Sequence, residues 1–220
     1  MDECKTIAAL FDFDGVIMDT EPQYTSFWKE MGTKYHPELP HFELKIKGST
    51  LKQVFDHYFK DKLEEQEEIT AALNKFEASM EYHYVSGVEQ FVLDLRNHKV
   101  KTAVVTSSNT EKMKSVYHAH PEIRMMFDYI LTAERFKRSK PFPDCYLLGA
   151  EVCGVQPDQA IVFEDSFNGL QAGQNAGMKV VGLATTLPEN KIEEMADIVI
   201  PHFLGMNYES LIRRLRSSRG

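Results

Sequence analysis

Two aspartates one residue apart, Asp12 and Asp14, follow an apolar run that ends at Phe11, and Gly15 comes directly after them. In a strand, residues i and i+2 point the same way, so both carboxylates would emerge together at the strand's carboxyl end. Carboxylates this close repel each other unless a cation lies between them or one holds a proton. The pair therefore suits Mg²⁺ with a phosphate, or one carboxylate that attacks while the other moves a proton. A strand that merely ends in a polar loop is the alternative interpretation.

The elements that must position this pair are predicted from the spacing of apolar residues. Beyond residue 87, strands alternate with helices, which indicates a parallel sheet with right-handed crossovers. The predicted strands cover residues 7–11, 100–106, 129–132, 160–163, 179–184 and 198–200. The predicted helices of this part of the chain cover residues 88–95, 110–118, 143–153, 168–176 and 206–216.

Ligands of open parallel sheets bind at the carboxyl ends of the strands. Three predicted strands end in polar residues that the fold would bring to one edge, namely Asp12 with Asp14, Thr106 with Ser107, and Glu164 with Asp165. Asp165 would offer a third carboxylate to a cation with oxygen ligands. Glu164 would be either a ligand or a partner of one.

A lysine could complete this edge. Lys140 precedes Pro141 and a predicted helix, and this rigid backbone would fix its direction. Aimed at the aspartates, it would offset their negative charge and bind a phosphate oxygen. Thr106 would offer a hydroxyl group, and Ser107 with its backbone N–H would add further donors. The strand ends and Lys140 together predict a site for a phosphate group and a hard cation.

Residues 21–85 have apolar residues at helical spacing and no β-rich run, so we predict about four helices inserted after the first strand. The sequence Gly48-Ser49-Thr50 interrupts this pattern and predicts a tight turn that approaches the site. We expect this turn and Lys75 to contact the leaving group of a substrate. A plain interhelical turn and a solvated lysine would produce the same pattern.

Composition and charge exclude several classes of partner. The net charge of −8 over 220 residues argues against nucleic acid or an anionic membrane as the main partner. No apolar run reaches eighteen residues, and the first residues lack a signal-peptide pattern.

Cys4, Cys145 and Cys153 have no metal-ligand spacing and indicate reduced thiols, so we expect a cytoplasmic protein. The sequence does not determine the oligomeric state, and we expect a monomer.

Four segments resemble the motifs of the haloacid dehalogenase-like superfamily of phosphotransferases, in order and spacing over the whole chain. They are Asp12-x-Asp14-Gly15-Val16-x-x-Asp19-Thr20-Glu21, Thr106-Ser107-Ser108-Asn109, Lys140-Pro141-x-Pro143-Asp144 and Glu164-Asp165-Ser166-x-x-Gly169. The resemblance is to the subgroup that includes β-phosphoglucomutase and many small-molecule phosphatases. It implies an α/β fold with a Rossmann-like core, residues 1–20 and 86–220, and a small α-helical cap, residues 21–85.

By this resemblance, Asp12 is the nucleophile that forms an aspartyl-phosphate, and Asp14 protonates the leaving group and then helps to activate water. Mg²⁺ is the implied cofactor, held by Asp12, the backbone carbonyl of Asp14, and Asp165. Thr106 and Lys140 are implied to hold the phosphoryl oxygens. The substrate is a small-molecule phosphate ester, and we assign binding of its phosphate or leaving group to Ser107, Asn109, Gly48, Ser49, Thr50 and Lys75.

Two departures from β-phosphoglucomutase favour hydrolysis over mutase action. The histidine that follows the first motif in that enzyme is matched here by Tyr24, a weak proton carrier near neutral pH. Its cap arginine, which binds the substrate's second phosphate, has no counterpart because residues 21–86 contain no arginine, and lysine does not reproduce the bidentate fork. We therefore predict a Mg²⁺-dependent phosphatase, with a sugar phosphate as a candidate substrate and a mutase as the alternative.

Other classes fit less well. Asp14 argues against a dehalogenase, which needs no acid at that place. A phosphonatase would use a cap lysine, for which Lys75 is the candidate, and it usually lacks that acid too. A receiver-like signalling module would not need the inserted helices. A non-catalytic protein that binds a phosphate ligand is disfavoured because every chemical position is filled, and a Mg²⁺-dependent assay with an aryl phosphate would separate it from an enzyme.

Overall fold

The computed structural model describes residues 7–47 and 49–218. Six strands form one sheet with the order β3-β2-β1-β4-β5-β6, and every neighbouring pair is parallel. The strands are β1 (Ala8–Phe11), β2 (Lys101–Val105), β3 (Tyr129–Leu131), β4 (Ala160–Glu164), β5 (Lys179–Leu183) and β6 (Ile198–Ile200). The predicted α/β fold is confirmed, and β1 lies between β2 and β4 at the centre of the sheet.

The helices alternate with these strands, apart from four that lie together between β1 and β2. These four are α1 (Glu21–Tyr35), α2 (Phe42–Lys45), α3 (Leu51–Tyr58) and α4 (Leu63–Ala78). The remaining α-helices are α5 (Val88–Asn97), α6 (Thr110–Ala119), α7 (Ile123–Met126), α8 (Asp144–Cys153), α9 (Phe167–Asn175), α10 (Glu189–Ile192) and α11 (Tyr208–Ser217). The sequence analysis did not predict α7 and α10, because four residues are too few to show helical periodicity.

The central strand is buried on both faces, as expected of a parallel sheet covered by helices. Ala9 and Phe11 belong to the apolar cluster on one face, and Ala8 and Leu10 belong to the cluster on the other. The ring of Phe11 stacks on that of Phe163 in β4, with centroids 4.5 Å apart. This two-sided packing fixes the carboxyl end of β1, where the aspartate pair begins.

Helices α1–α4 have an apolar cluster of their own, which includes Phe27, Phe42 and Phe59. Tyr24 and Phe76 pack against both this cluster and the cluster beside the sheet. The inserted helices therefore form their own packing unit, and Tyr24 and Phe76 are among the side chains that pack it against the sheet-containing part. The division into a core and a cap at residues 20/21 and 85/86 remains our prediction.

The structure also describes two of the cysteines and allows a search for membrane-spanning helices. Cys145 and Cys153 are buried free thiols, whereas Cys4 lies outside the described residues. Within residues 7–47 and 49–218, no helix has the length and apolar character needed to cross a membrane.

Candidate active site

The turn after β1 brings the aspartate pair close to the end of β4. Gly15 has a φ of +71°, a left-handed conformation that glycine adopts without strain. A Cβ atom at this position would lie 1.9 Å from Oδ2 of Asp165, so a side chain would overlap that carboxylate. Because β1 and β4 are neighbours, the turn and Asp165 meet at one edge of the sheet. Glycine is therefore needed here both for the turn and for the close approach.

Asp12 is held by a single buried lysine. Nζ of Lys140 lies 2.9 Å from Oδ1 of Asp12 and 2.5 Å from Oε1 of Glu164, and only 4% of the lysine side chain is exposed. Burial raises the pKa of Asp12 to about 7. The negative charge of Glu164 also raises this pKa, whereas the positive charge of Lys140 lowers it. Burial would lower the pKa of Lys140, but the two carboxylates outweigh it and raise that pKa. Lys140 is therefore an ammonium ion between two acids.

Both carboxylate oxygens of Glu164 are used by donors of the protein. Oε1 accepts hydrogen bonds from Lys140 and from the hydroxyl of Tyr146, the latter at 2.9 Å. Oε2 accepts from the backbone N–H groups of Asp165 and Ser166, at 3.0 and 3.1 Å, and from the Ser166 hydroxyl at 3.1 Å. This fully buried carboxylate thus fixes the segment that carries Asp165.

Gly169, in the first turn of α9, leaves the space that Glu164 occupies, because a Cβ atom there would lie 1.7 Å from Oε1. We expect Gly169→Ala to lower the free energy of unfolding by about 2–3 kcal/mol, since the methyl group must displace a buried, hydrogen-bonded carboxylate. Chemical or thermal unfolding measures this. The matched variant Gln174→Ala, at an exposed position of the same helix, should stay within about 0.5 kcal/mol of wild type. Equal stability of the two variants would show that Glu164 moves aside without cost.

Three carboxylates form a candidate cation site. One oxygen each of Asp12, Glu164 and Asp165 lie within 4.8 Å of one another. Burial and the charges of Glu164 and Asp12 raise the pKa of Asp165 well above its usual range, although the Thr186 hydroxyl donates a hydrogen bond to it. Lys140 compensates only part of this negative charge. Clustered carboxylate oxygens with an excess of negative charge fit a hard divalent cation such as Mg²⁺.

Asp14 is paired with a different lysine. Nζ of Lys112 lies 2.6 Å from both carboxylate oxygens of Asp14. The hydroxyl of Thr20 donates to Oδ1 at 2.7 Å, and that of Ser108 donates to Oδ2 at 3.0 Å. Burial favours the neutral acid, but the ammonium group and these hydrogen bonds outweigh it and hold the pKa of Asp14 below its usual range. Asp14 is therefore a tightly held carboxylate.

The sequence analysis did not single out Lys112. The residue lies in the first turn of α6, where Asn109 is the N-cap and its side chain accepts the Lys112 N–H at 2.9 Å. A cation near a helix N-terminus interacts unfavourably with the helix dipole. This unfavourable position is a local signal from which a partner for Lys112 elsewhere in the fold could have been predicted.

The end of β2 supplies hydroxyl groups to the same edge of the sheet. Thr106 is 1% exposed, and its Oγ1 accepts a hydrogen bond from the backbone N–H of Ser108 at 2.9 Å. Ser107 is exposed and lies beside it. Thr106, Ser107 and Asn109 all line the cavity described next.

A cavity of about 400 Å³ lies between the strand ends and the inserted helices. From the strand ends and the loops that follow them, it is lined chiefly by Asp12, Asp14, Thr106, Ser107, Ser108, Asn109, Lys112, Lys140 and Asp165. From the other side, its lining includes Glu21, Tyr24, Trp28, Glu43, Lys47, Ser49, Thr50, Leu73, Asn74 and Glu77. The predicted site residues far apart in sequence thus share one space with side chains of α1–α4.

The turn before α3 reaches this cavity, but Lys75 does not. Ser49 and Thr50 line the cavity, and Thr50 also caps α3 through its side chain. Gly48 lies outside the described residues. Lys75 is exposed on α4 and does not line the cavity, whereas its neighbour Asn74 does. The structure therefore gives no support to a contact between Lys75 and a substrate.

Tyr24 is engaged by the inserted helices. Its hydroxyl donates to Oε1 of Glu77 in α4 at 2.7 Å. Burial and the nearby charges of Asp14 and Glu77 raise the pKa of Tyr24 well above its usual range. The phenol therefore keeps its proton at neutral pH.

The chain belongs to the family of haloacid dehalogenase-like hydrolases, whose family model matches residues 9–183. It is 30% identical over 223 residues to glycerol-1-phosphate phosphohydrolase 2 of Saccharomyces cerevisiae, covering 94% of this chain and 84% of that protein. It is 30% identical over 178 residues to a fructose-1-phosphate phosphatase of Escherichia coli, covering 78% and 93%. It also matches Protein SUPPRESSOR OF QUENCHING 1, chloroplastic, of Arabidopsis thaliana, with 27% identity, but spans only 20% of that protein's length.

Solved structures share the fold. A haloacid dehalogenase hydrolase of family IA from Entamoeba histolytica superposes with a TM-score of 0.82 at 22% identity, covering 96% of this chain and all of that one. A β-phosphoglucomutase from Clostridium difficile superposes with a TM-score of 0.76 at 20% identity, covering 96% and 98%. At this identity the comparison establishes the architecture of the sheet and the inserted helices, and not the reaction.

Proposed function

We propose that the protein is a Mg²⁺-dependent phosphatase that hydrolyses a small-molecule phosphate monoester through an aspartyl-phosphate at Asp12. The observation that carries this proposal is the meeting of Asp12, Lys140 and Asp165 on one side of the cavity. Phosphoryl transfer demands positioning and neutralisation of charge more than covalent chemistry. One carboxylate nucleophile, one fixed ammonium group and a carboxylate cluster fitted to a cation supply these needs.

The reaction has two displacements. In the first, a carboxylate oxygen of Asp12 forms a bond to phosphorus while the bond to the leaving oxygen breaks. Asp14 takes up a proton when the negative charge of the bound phosphate ester raises its pKa, and it gives that proton to the leaving oxygen. In the second, water attacks phosphorus, its proton passes to Asp14, and the bond to Asp12 breaks to release inorganic phosphate. Lys140 and the Thr106 hydroxyl bind the phosphoryl oxygens. Mg²⁺ held by Asp12, Asp165 and the carbonyl of Asp14 would offset the negative charge of the transferring group.

The cavity favours an uncharged leaving group. Each lysine of its lining is paired with a carboxylate: Lys140 with Asp12 and Glu164, Lys112 with Asp14, and Lys47 with Glu21. The lining drawn from the described residues contains no arginine. Glu43 and Glu77 add further acidic groups, and Trp28 offers an apolar ring. A sugar or another polyol meets hydrogen-bonding partners here, whereas a second phosphate would meet carboxylates and lysines already paired.

The names of the relatives point the same way. The yeast and Escherichia coli proteins are named for glycerol 1-phosphate and fructose 1-phosphate, both esters of uncharged polyols. A β-phosphoglucomutase activity is the alternative, because a mutase has the same fold. It would have to hold a sugar bisphosphate by both ends, for which the described lining offers no unpaired cation. A binding protein without turnover is the alternative of another class.

Product analysis tests these proposals. With β-glucose 1-phosphate, fructose 1-phosphate or glycerol 1-phosphate, we expect ³¹P NMR to show inorganic phosphate as the phosphorus-containing product. Added glucose 1,6-bisphosphate should not stimulate turnover of β-glucose 1-phosphate. Accumulation of glucose 6-phosphate, stimulated by the bisphosphate, would instead establish the mutase. Phosphate-ester binding without turnover of any of these compounds, or of p-nitrophenyl phosphate, would establish a binding protein.

A further inference from the structure

Lys112 is a buried lysine in α6. This helix carries neither the predicted nucleophile nor the predicted acid, and it carries no predicted cation ligand. Its side chain is 3% exposed, and both oxygens of Asp14 lie 2.6 Å from its ammonium nitrogen. Thr20 and Ser108 each bind one of these oxygens, but only Lys112 contacts both. The two hydroxyl groups and the ammonium group together restrict rotation of the carboxylate, and Lys112 is the charged member of the three.

The same ammonium group contacts the inserted helices. Nζ of Lys112 lies 4.8 Å from the centroid of the Tyr24 ring in α1, within the range of a cation–π interaction. Tyr24 is in turn fixed by its hydrogen bond to Glu77 in α4, and α4 packs against α6. Lys112 therefore joins Asp14, at the end of β1, to two helices on the far side of the cavity.

We propose that Lys112 is a positioning residue that sets the direction of the Asp14 carboxylate toward the leaving oxygen of the substrate. The proposal rests on the proposed function, in which Asp14 donates a proton to that oxygen. Lys112 acts through Asp14 and touches no reacting atom. It also makes the position of Asp14 depend on the inserted helices through Tyr24, so a substrate held by those helices and the proton donor are positioned together.

Leaving groups that differ in their need for a proton separate positioning from general damage. An alkoxide from a sugar or polyol leaves poorly without a proton, whereas p-nitrophenolate leaves readily. The value of kcat/KM covers only the steps up to departure of the leaving group, so it does not include hydrolysis of the aspartyl-phosphate. Loss of the Lys112 ammonium group by itself favours the protonated form of Asp14, so a loss of acid catalysis in the variant reports the direction of Asp14 and not its protonation. A misdirected Asp14 lowers kcat/KM for an alkyl phosphate much more than for p-nitrophenyl phosphate.

The experiment compares Lys112→Met with wild type on p-nitrophenyl phosphate and on the alkyl phosphate that wild type hydrolyses fastest. We expect the loss in kcat/KM to be at least about tenfold larger on the alkyl phosphate, because general acid catalysis contributes roughly 10²–10⁴-fold. Lys114→Met is the matched control, since Lys114 lies on the same helix with 63% of its side chain exposed. It should leave both values unchanged. If the methionine variant does not fold, Lys112→Gln takes its place, with the same expectation.

Failure of this inference is distinguishable from failure of the proposed function. Equal losses on both substrates, or no loss on either, would overturn the positioning role of Lys112 while the wild-type enzyme remained a phosphatase. A wild-type protein that hydrolyses neither substrate would overturn the proposed function itself.

Discussion

Asp12→Asn is expected to lower kcat at least about a hundredfold on every substrate, including p-nitrophenyl phosphate. The amide keeps the shape of the side chain but removes the negative charge and the oxygen nucleophile. Better leaving groups should not rescue the variant, because the attacking atom is missing whatever group departs. This insensitivity to the leaving group distinguishes Asp12→Asn from a variant that affects only the proton donor. Steady-state kinetics measure the loss, and circular dichroism shows that the fold is retained.

The covalent intermediate provides a second measurement of the same residue. Acid quenching during turnover, followed by mass spectrometry of peptides, should detect a phosphoryl group on the peptide that contains Asp12 in wild type and none in Asp12→Asn. Asp158→Asn is a suitable control, because Asp158 is an exposed acid outside the cavity lining. Its activity and intermediate should match those of wild type. A variant Asp12→Asn that retains more than about a hundredth of the activity would show that another group attacks phosphorus.

Removal of divalent cations by EDTA is expected to stop turnover, and added Mg²⁺ should restore it. The reason is the charge of the site, where Asp12, Glu164 and Asp165 lie together and Lys140 is the ammonium group that contacts two of them. Asp165→Asn should raise the Mg²⁺ concentration required for half-maximal activity by at least about tenfold. The exposed acid Glu151, on α8, supplies the control variant Glu151→Gln, which should keep the wild-type requirement. Undiminished turnover in EDTA would contradict a role for the cation.

Stability provides a readout of the cation that does not depend on activity. A ligand that binds only the native state raises Tm, so Mg²⁺ should raise the Tm of wild type and have less effect on Asp165→Asn. Glu164→Gln should behave differently, because both oxygens of Glu164 already accept hydrogen bonds from the protein. We expect this variant to have a lower Tm with and without Mg²⁺. A loss confined to the Mg²⁺-bound state would assign Glu164 as a ligand instead.

The sequence by itself determined the type and order of the elements and the place of the strand-end residues. Apolar periodicity is a local property, and it correctly predicted the strand that precedes Asp12 and Asp14 and the strand at whose end Glu164 lies. The parallel alternation of strands and helices then required these strand ends to lie along one edge. Asp12, Thr106 and Asp165 could therefore be assigned to a common site before their distances were known.

Only the tertiary structure decided which charges meet. Lys140 forms an ion pair with Asp12, and Lys112 forms an ion pair with Asp14. The second pair depends on how α6 packs beside the end of β1. Lys75 was expected at the cavity but is exposed and does not line it, whereas its neighbour Asn74 does, because a residue's position around the helix axis decides which side it faces. Periodicity along the chain specifies which residues lie on one face of an element. The distance between side chains of different elements is set by packing, which no local pattern encodes.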